Sequence, residues 1–398
     1  MKSVVCSPGA RLAACFFTYF AMSGLLAPFM PLYFQSRGLS AAEVGMVMAL
    51  AQGLRVVGSN FWGWMADRTH PRTRVLRLTA IAIAISFSGF LLPGGFGWIV
   101  VVMFFLNLFM TAQMPVAEAL AMARLRGDPA AYGRLRVWGS VGYVIVVVGA
   151  GLLFDAAGIG WAPVLGLALA ALMVWSAYGV RDEVVVAAAS QGGPSMRERL
   201  RQPAVRWFLL SAALMVFAHG AFYSYFSLYL AKLGYSKSVI GAFWMVGVLC
   251  EILIFYGQGR LFARFAVYQL LGACFLLAAV RFLLVAEFAA FWWMIVFSQV
   301  LHAATFALHH SASVYLIQRW FSGRAASSGQ ALYVSIAYGV GGTAGALMAA
   351  WVWAEVGPTA AFLQAVGVAL LGWLVLRRAQ ASDPSIAGPH TLSLKSQA

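Results

Sequence analysis

Long apolar runs, with polar residues confined to their ends, recur along the whole chain. Twelve such runs span approximately 11–33, 41–65, 75–94, 97–123, 137–156, 160–180, 207–230, 238–259, 266–286, 289–317, 326–350 and 358–377. At 1.5 Å rise per residue, a run of about 20 residues crosses a ~30 Å hydrocarbon core as a helix. Backbone amides in that core must pair within their own segment, which selects helices over open strands. The pattern therefore predicts an all-α membrane protein with twelve transmembrane helices.

The runs fall into two similar sets. Residues 33–45 read YFQSRGLSAAEVG and residues 229–241 read YLAKLGYSKSVIG, an offset of 196. In that register Tyr33 matches Tyr229, Gly38 matches Gly234, Ser40 matches Ser236 and Gly45 matches Gly241. Further on, Gly63 meets Gly259, Arg68 meets Arg264 and Arg55 meets Glu251. A half-chain repeat in an apolar chain predicts two pseudo-symmetric six-helix bundles around a central site. The expected division is an N-terminal bundle over 1–180, a cytoplasmic linker over 181–206, a C-terminal bundle over 207–378 and a disordered tail over 379–398. The linker is polar and basic and is expected to carry a short amphipathic helix.

Composition and charge sharpen this picture. Hydrophobic residues make up 62 % of the chain and charged residues 10 %, whereas soluble domains carry about 25 % charged residues. The net charge of +15 would suit a nucleic-acid binder, but its location argues against one. With both termini on one side, most of the 27 Lys and Arg fall in loops and tails on that side. Only Arg37, Lys232 and Lys237 fall in the opposite loops, while Arg55 and Arg281 fall inside helices. This positive-inside asymmetry places both termini in the cytoplasm, with the chain in the cell inner membrane. The four cysteines show no CxxC spacing and read as small packing residues. Neither a cofactor nor a metal is expected, and the chain is read as a monomer. The first run is too long for a signal peptide and lacks a cleavage site, so it reads as an uncleaved helix.

A charge at the centre of a transmembrane helix costs about 2.5–3.5 kcal/mol, so each intramembrane ionisable residue is a candidate site. These are Arg55 in the second span, Glu118 in the fourth, Arg136 opening the fifth, His219 in the seventh, Glu251 in the eighth, Arg281 in the ninth and His302 in the tenth. Two acids against three arginines leave a positive charge unmatched, which an anionic substrate would balance. Arg55 reads as buried, and a structural ion pair between Glu251 and Arg281 is the simpler alternative for those two. His309 and His310 read as packing or polar lining, because no thiol or carboxylate stands near them in sequence. Among the aromatics Trp138, Phe222, Tyr223, Tyr225, Phe226 and Trp244, those near His219 are candidates to stack on an aromatic ligand.

The end of the second span reads GWMADRTHPRTR, with Gly63, Asp67, Arg68 and Arg72. It resembles the cytoplasmic loop signature of the major facilitator superfamily, which implies a cytoplasmic gate at these four residues. Residues 115–144 (PVAEALAMARLRGDPAAYGRLRVWGSVGYV) and 301–317 (LHAATFALHHSASVYLI) resemble the lactose permease branch. That resemblance implies substrate binding by Glu118 and Arg136, and proton coupling through Glu251, Arg281 and His302. One departure is Thr305, where that branch has a proton-carrying glutamate. Across about residues 11–378 the chain is similar to the phenylpropionic acid transporter family, in blocks such as YGRLRVWGS and GVLCEILIFY. Membership implies proton-driven uptake of a small aromatic carboxylate, with the proton gradient as driving force and the lipid bilayer as setting.

The resulting expectation is a secondary transporter, not an enzyme, working by alternating access. Arg55, Glu118, Arg136, His219 and Arg281 would bind substrate, while Glu251, His302 and Glu118 would handle the proton. A symporter of an oligosaccharide or nucleoside is the alternative, since Glu118 with Arg136 also suits hydroxyl-rich ligands.

Overall fold

A computed structural model describes residues 8–68, 71–125, 129–181, 196–321 and 326–383. The first half comprises α1 (Pro8–Ser36), α2 (Ala41–Arg68), α3 (Arg72–Ser88), α4 (Phe96–Arg124), α5 (Pro129–Ala157) and α6 (Ala162–Gly179). A short helix, α7 (Met196–Arg201), precedes the second half of α8 (Pro203–Lys232), α9 (Lys237–Arg264) and α10 (Val267–Phe288). Beyond it come α11 (Trp292–Ala303), α12 (His309–Trp320), α13 (Ala326–Tyr333), α14 (Gly342–Glu355) and α15 (Pro358–Ala381). Among the described residues, eleven helical segments are long and apolar enough to cross a membrane. The twelfth crossing is α11 and α12 joined through a π-turn at Ala304–Leu308. A second π-turn, Val334–Gly341, joins α13 to α14. Each of the twelve apolar runs thus becomes one crossing. The π-turns had no counterpart in the hydrophobic pattern.

The repeat is written in hydrogen bonds as well as letters. Tyr33 donates to the Phe90 carbonyl (3.3 Å) and Tyr229 to the Ala286 carbonyl (3.0 Å), partners that are themselves 196 residues apart. Gly38 and Gly234 both turn the chain at positive φ, 86° and 91°, a conformation that favours glycine because it has no Cβ. Ser40 caps α2 by accepting from Glu43 N, and Ser236 caps α9 by accepting from Val239 N, each at 3.3 Å. The copies then diverge. Glu43 closes a capping box on Ser40 (2.8 Å), but Val239 cannot.

The first half supplies the missing cap. Asp155, at the end of α5, accepts from Lys237 N (2.8 Å) and Ser238 N (2.9 Å) and lies 3.9 Å from Lys237 Nζ. Close backbone approach accompanies this seam: a Cβ on Gly241 would collide with the Val147 carbonyl, and one on Gly151 would lie 2.7 Å from the Lys237 carbonyl. At the symmetry-related seam Tyr225 donates to the Ala41 carbonyl (2.6 Å). The halves are therefore latched where α2 and α9 begin. A carboxylate capping a helix N-terminus contributes about 0.5–2 kcal/mol. Asp155→Ala is expected to populate a state separated at this end, up to about 30-fold more than the parent. Spin-label distances between positions Gln35 and Lys232 would read it as a new long component. An unchanged distribution would show that Asp155 only caps α9.

Two boundaries differ from the sequence reading. α5 begins at Pro129, so Arg136 lies two turns inside the helix and does not open it. α15 runs past Arg378 to Ala381, and Asp383 is buried where it accepts from the Tyr268 hydroxyl (3.0 Å). The rest of the expected tail lies outside the described residues, as does 182–195 of the linker. Small residues at the end of the second π-turn and in α14 bring backbones together: a Cβ on Gly341 would meet the Ala213 carbonyl, and one on Gly345 the Phe217 carbonyl. Such stripes let transmembrane helices approach closely.

Candidate functional site

Four of the sequence-selected residues converge in the second half. Glu251 on α9 places Oε1 3.1 Å from His302 Nε2 on α11, with both side chains largely buried. His219 on α8 lies 6.0 Å from His302, ring centre to ring centre. Arg281 on α10 is fully buried. The Glu251–Arg281 ion pair, the alternative reading for these two residues, does not form: His302 takes the carboxylate, and Arg281 stays within electrostatic reach only. None of the three guanidinium nitrogens has a hydrogen-bond partner among the described residues. Aromatic faces cover the cation instead, with Cζ 4.1 Å from the Phe222 ring centre and 5.0 Å from that of Phe282. A desolvated cation–π contact contributes about 2 kcal/mol, comparable to leaving one buried donor unpaired at about 1–3 kcal/mol. Three such nitrogens leave a deficit that an acceptor would relieve.

The histidines are oriented by what a carbonyl can do. A carbonyl only accepts, so the contact of His219 Nδ1 with the Met215 carbonyl (2.9 Å) places the proton on Nδ1. Nε2 is then a bare acceptor facing Thr305 Oγ1 at 3.4 Å. The Thr305 hydroxyl also sits 3.2 Å from the His302 carbonyl, so its one proton serves either acceptor. Thr305 cannot ionise, and here it links two histidines. The π-turn that begins beside it presents Phe306 against His302, stacked at 5.5 Å and 14°. π-turns inside helices often mark functional sites.

The first half contributes the opposite wall. Tyr132 on α5 donates to Glu118 Oε1 (2.9 Å) and also faces the Arg136 side chain. The Arg136 guanidinium lies over Phe20, 4.0 Å from its ring centre, and within electrostatic reach of Glu118 and of Glu251 across the seam. Arg55, expected to be buried, is exposed. It interacts electrostatically with Tyr19 of its own half and with Tyr223 and Tyr338 of the other, so its exposure is toward the space between the halves. Arg55 and Glu251 occupy repeat-related positions but carry different roles: one faces the seam, and the other holds a histidine.

Of the gate residues, Arg72 opens α3 and Gly63, Asp67 and Arg68 end α2, but the side chains of those three lie outside the described residues. Among the aromatic candidates, Phe222, Phe226 and Trp244 are buried against one another, with ring centres 4.7 Å apart from Phe222 in each case. Tyr225 is committed to the seam and Trp138 is exposed. Tyr223 alone of the group is half-buried, where it lines a small pocket with His219, Thr305, Phe306, His309 and Tyr338. Tyr338 and Tyr132 were not singled out from sequence. Tyr338 Oη lies 3.0 Å from His310 Nδ1, and nothing in the local pattern distinguishes it from belt tyrosines. Among the described residues no three His, Cys, Asp or Glu side chains gather as metal ligands.

Known proteins resemble this chain in sequence and in fold. The MFS_1 like family matches residues 10–364. A protein of Escherichia coli (strain K12), "Probable 3-phenylpropionic acid transporter", is 30 % identical over 340 residues, covering 82 % of this chain and 86 % of its own. The "Maltose permease" of Geobacillus stearothermophilus is 26 % identical over 333 residues, covering 82 % and 83 %. The crystal structure of the nucleoside transporter NupG superposes with a TM-score of 0.81 at 14 % identity, over 94 % of this chain and 99 % of that one. At that identity the likeness concerns the fold alone. Twelve crossings in two latched halves, with ionisable side chains between them, are the architecture of a carrier and not of an enzyme. The chain belongs to the MFS_1 like family and is a secondary transporter of the major facilitator superfamily.

Proposed function

We propose that the protein imports a small aromatic carboxylate, of the 3-phenylpropionate kind, together with a proton. The observation that carries this reading is Arg281, a fully buried guanidinium without a hydrogen-bond partner, set against the Phe222 ring. An unpaired cation beside aromatic faces suits a ligand that is both anionic and aromatic. The name of the Escherichia coli relative supports the same class. Arg55 and Arg136 offer the carboxylate alternative positions as the halves move, with Glu118 near Arg136 and His219 near Arg281. The Glu251–His302 pair, at 3.1 Å, handles the proton, with Glu118 as a second acid. Both termini lie on the cytoplasmic side of the inner membrane, the monomer is the working unit, and residues Gly63, Asp67, Arg68 and Arg72 form the cytoplasmic gate.

A second reading, proton symport of an oligosaccharide or nucleoside, draws on the maltose permease relative and on the Glu118–Tyr132 hydrogen bond, which suits hydroxyl-bearing ligands. Uptake by purified protein in proteoliposomes with an imposed pH gradient separates the two. Accumulation is expected for 3-phenylpropionate, with competition by other small aromatic acids and none by maltose or uridine. Uptake of maltose or uridine, with no response to aromatic acids, would establish the second reading instead.

A further inference from the structure

The second-half cluster holds a buried polar side chain, without a partner among the described residues, that the proposed reaction does not use. Gln299 lies on α11 one turn before His302 and is fully buried, and neither its Oε1 nor its Nε2 has a hydrogen-bond partner among the described residues. His302 Nδ1 and the three Arg281 nitrogens are unpaired with it. Each buried unpaired group costs about 1–3 kcal/mol, and an apolar side chain of similar volume would fill the space without that cost. α9 leaves room for the amide: a Cβ on Gly247 would lie 3.0 Å from Gln299 Oε1 and 3.3 Å from His302 Cδ2. Glu251 follows Gly247 by one helical turn, so α9 turns a carboxylate to His302 and bare backbone to Gln299.

We propose that Gln299 is a positioning residue of the coupling centre, whose amide oxygen accepts from the Arg281 guanidinium in a second arrangement of the cluster. This rests on the proton-coupled reading above. In the present arrangement the Glu251 carboxylate is bonded to His302 and balances Arg281 through space. A proton arriving at that pair removes the balancing charge. The Gln299 carbonyl, which approaches α9 at Gly247 beside His302, is then a neutral acceptor that would give Arg281 a partner without needing a charge. Glutamine suits the task because its amide does not titrate, so it is available to Arg281 whatever the protonation of Glu251. The other groups facing the centre are His219 and Tyr223 from α8, Arg136 and Tyr143 from α5, and Thr305 from the π-turn.

The test compares wild type with Gln299→Leu in proteoliposomes, using 3-phenylpropionate as probe, for gradient-driven accumulation, equilibrium exchange and the pH profile of uptake. The melting temperature of the purified proteins is measured alongside. The variant is expected to melt at or above the wild-type temperature and to retain exchange. Accumulation is expected to fall by about 10-fold, a coupling loss of ordinary size, and the pH profile to shift. Gln299→Asn, which keeps the amide, is expected to recover part of the loss. A Leu variant that accumulates as well as wild type overturns the proposal. If Gln299→Leu does not assemble, Gln299→Met takes its place, and failure of both shows a purely structural amide and also overturns it. Absence of substrate-coupled proton movement in wild type would overturn the coupling reading itself, and this shows before any Gln299 variant is made.

Discussion

Glu251→Gln is expected to abolish accumulation of substrate against a gradient while leaving exchange across the membrane intact. The physical reason lies in the 3.1 Å contact between Glu251 Oε1 and His302 Nε2. A glutamine is almost isosteric and still hydrogen-bonds the imidazole, so packing against Phe222 and Phe306 survives. On the proton-coupled reading proposed above, it removes the exchangeable proton together with the negative charge that faces Arg281. A carrier that no longer exchanges its proton can still reorient with substrate bound, but the pH gradient no longer favours one direction. The concentration ratio reached in vesicles should fall to unity, and counterflow rates should remain of the wild-type order. Full accumulation by Glu251→Gln would remove Glu251 from the coupling role and leave Glu118 as the acid to examine.

The second large effect concerns Arg281. Arg281→Met is expected to weaken binding of a 3-phenylpropionate probe severely, because truncating one partner of a buried charge pair costs about 2–5 kcal/mol. Stability should fall as well. The substitution removes three guanidinium nitrogens that have no hydrogen-bond partner among the described residues, but it leaves the Glu251 carboxylate without the cation that balances it, and removing one member of a buried charge pair costs about 3–5 kcal/mol. Calorimetric titration and thermal melting on the same preparation read both quantities. Arg281→Lys supplies a control, since it keeps a charge but loses the planar fork that grips a carboxylate. Wild-type affinity in Arg281→Met would show that the cation serves packing against Phe222 and Phe282 and not the ligand.

Much of this molecule is legible in its sequence. Each of the twelve apolar runs is one crossing, because backbone amides in hydrocarbon leave a run of that length one way to satisfy itself. The offset of 196 extended from letters to turns, caps and the paired tyrosine bonds. The cluster in the second half was legible for a related reason. A charged group in a transmembrane helix is costly enough that Glu251, Arg281 and His302 stand out singly. Their partners did not. An ion pair of Arg281 with Glu251 is only the alternative that the sequence offers, and His302 holds that carboxylate, a choice made by how α9, α10 and α11 rotate against one another. Arg55 read as buried because it lies mid-helix, and it is exposed because that face of α2 borders the seam between the halves.

The sequence by itself therefore determined the class, the count of crossings, the twofold plan and the list of ionisable residues inside the membrane. Each of these follows from local length, periodicity and the cost of charge in hydrocarbon. Only the tertiary structure decided which ionisable groups meet, that Asp155 of one half caps the helix of the other, and that α11 and α12 are joined by a π-turn beside His302. Those features depend on helix rotation and register between segments far apart in the chain. Hydrophobic patterning leaves such angles free, because in an almost uniformly apolar helix every face looks alike from the sequence.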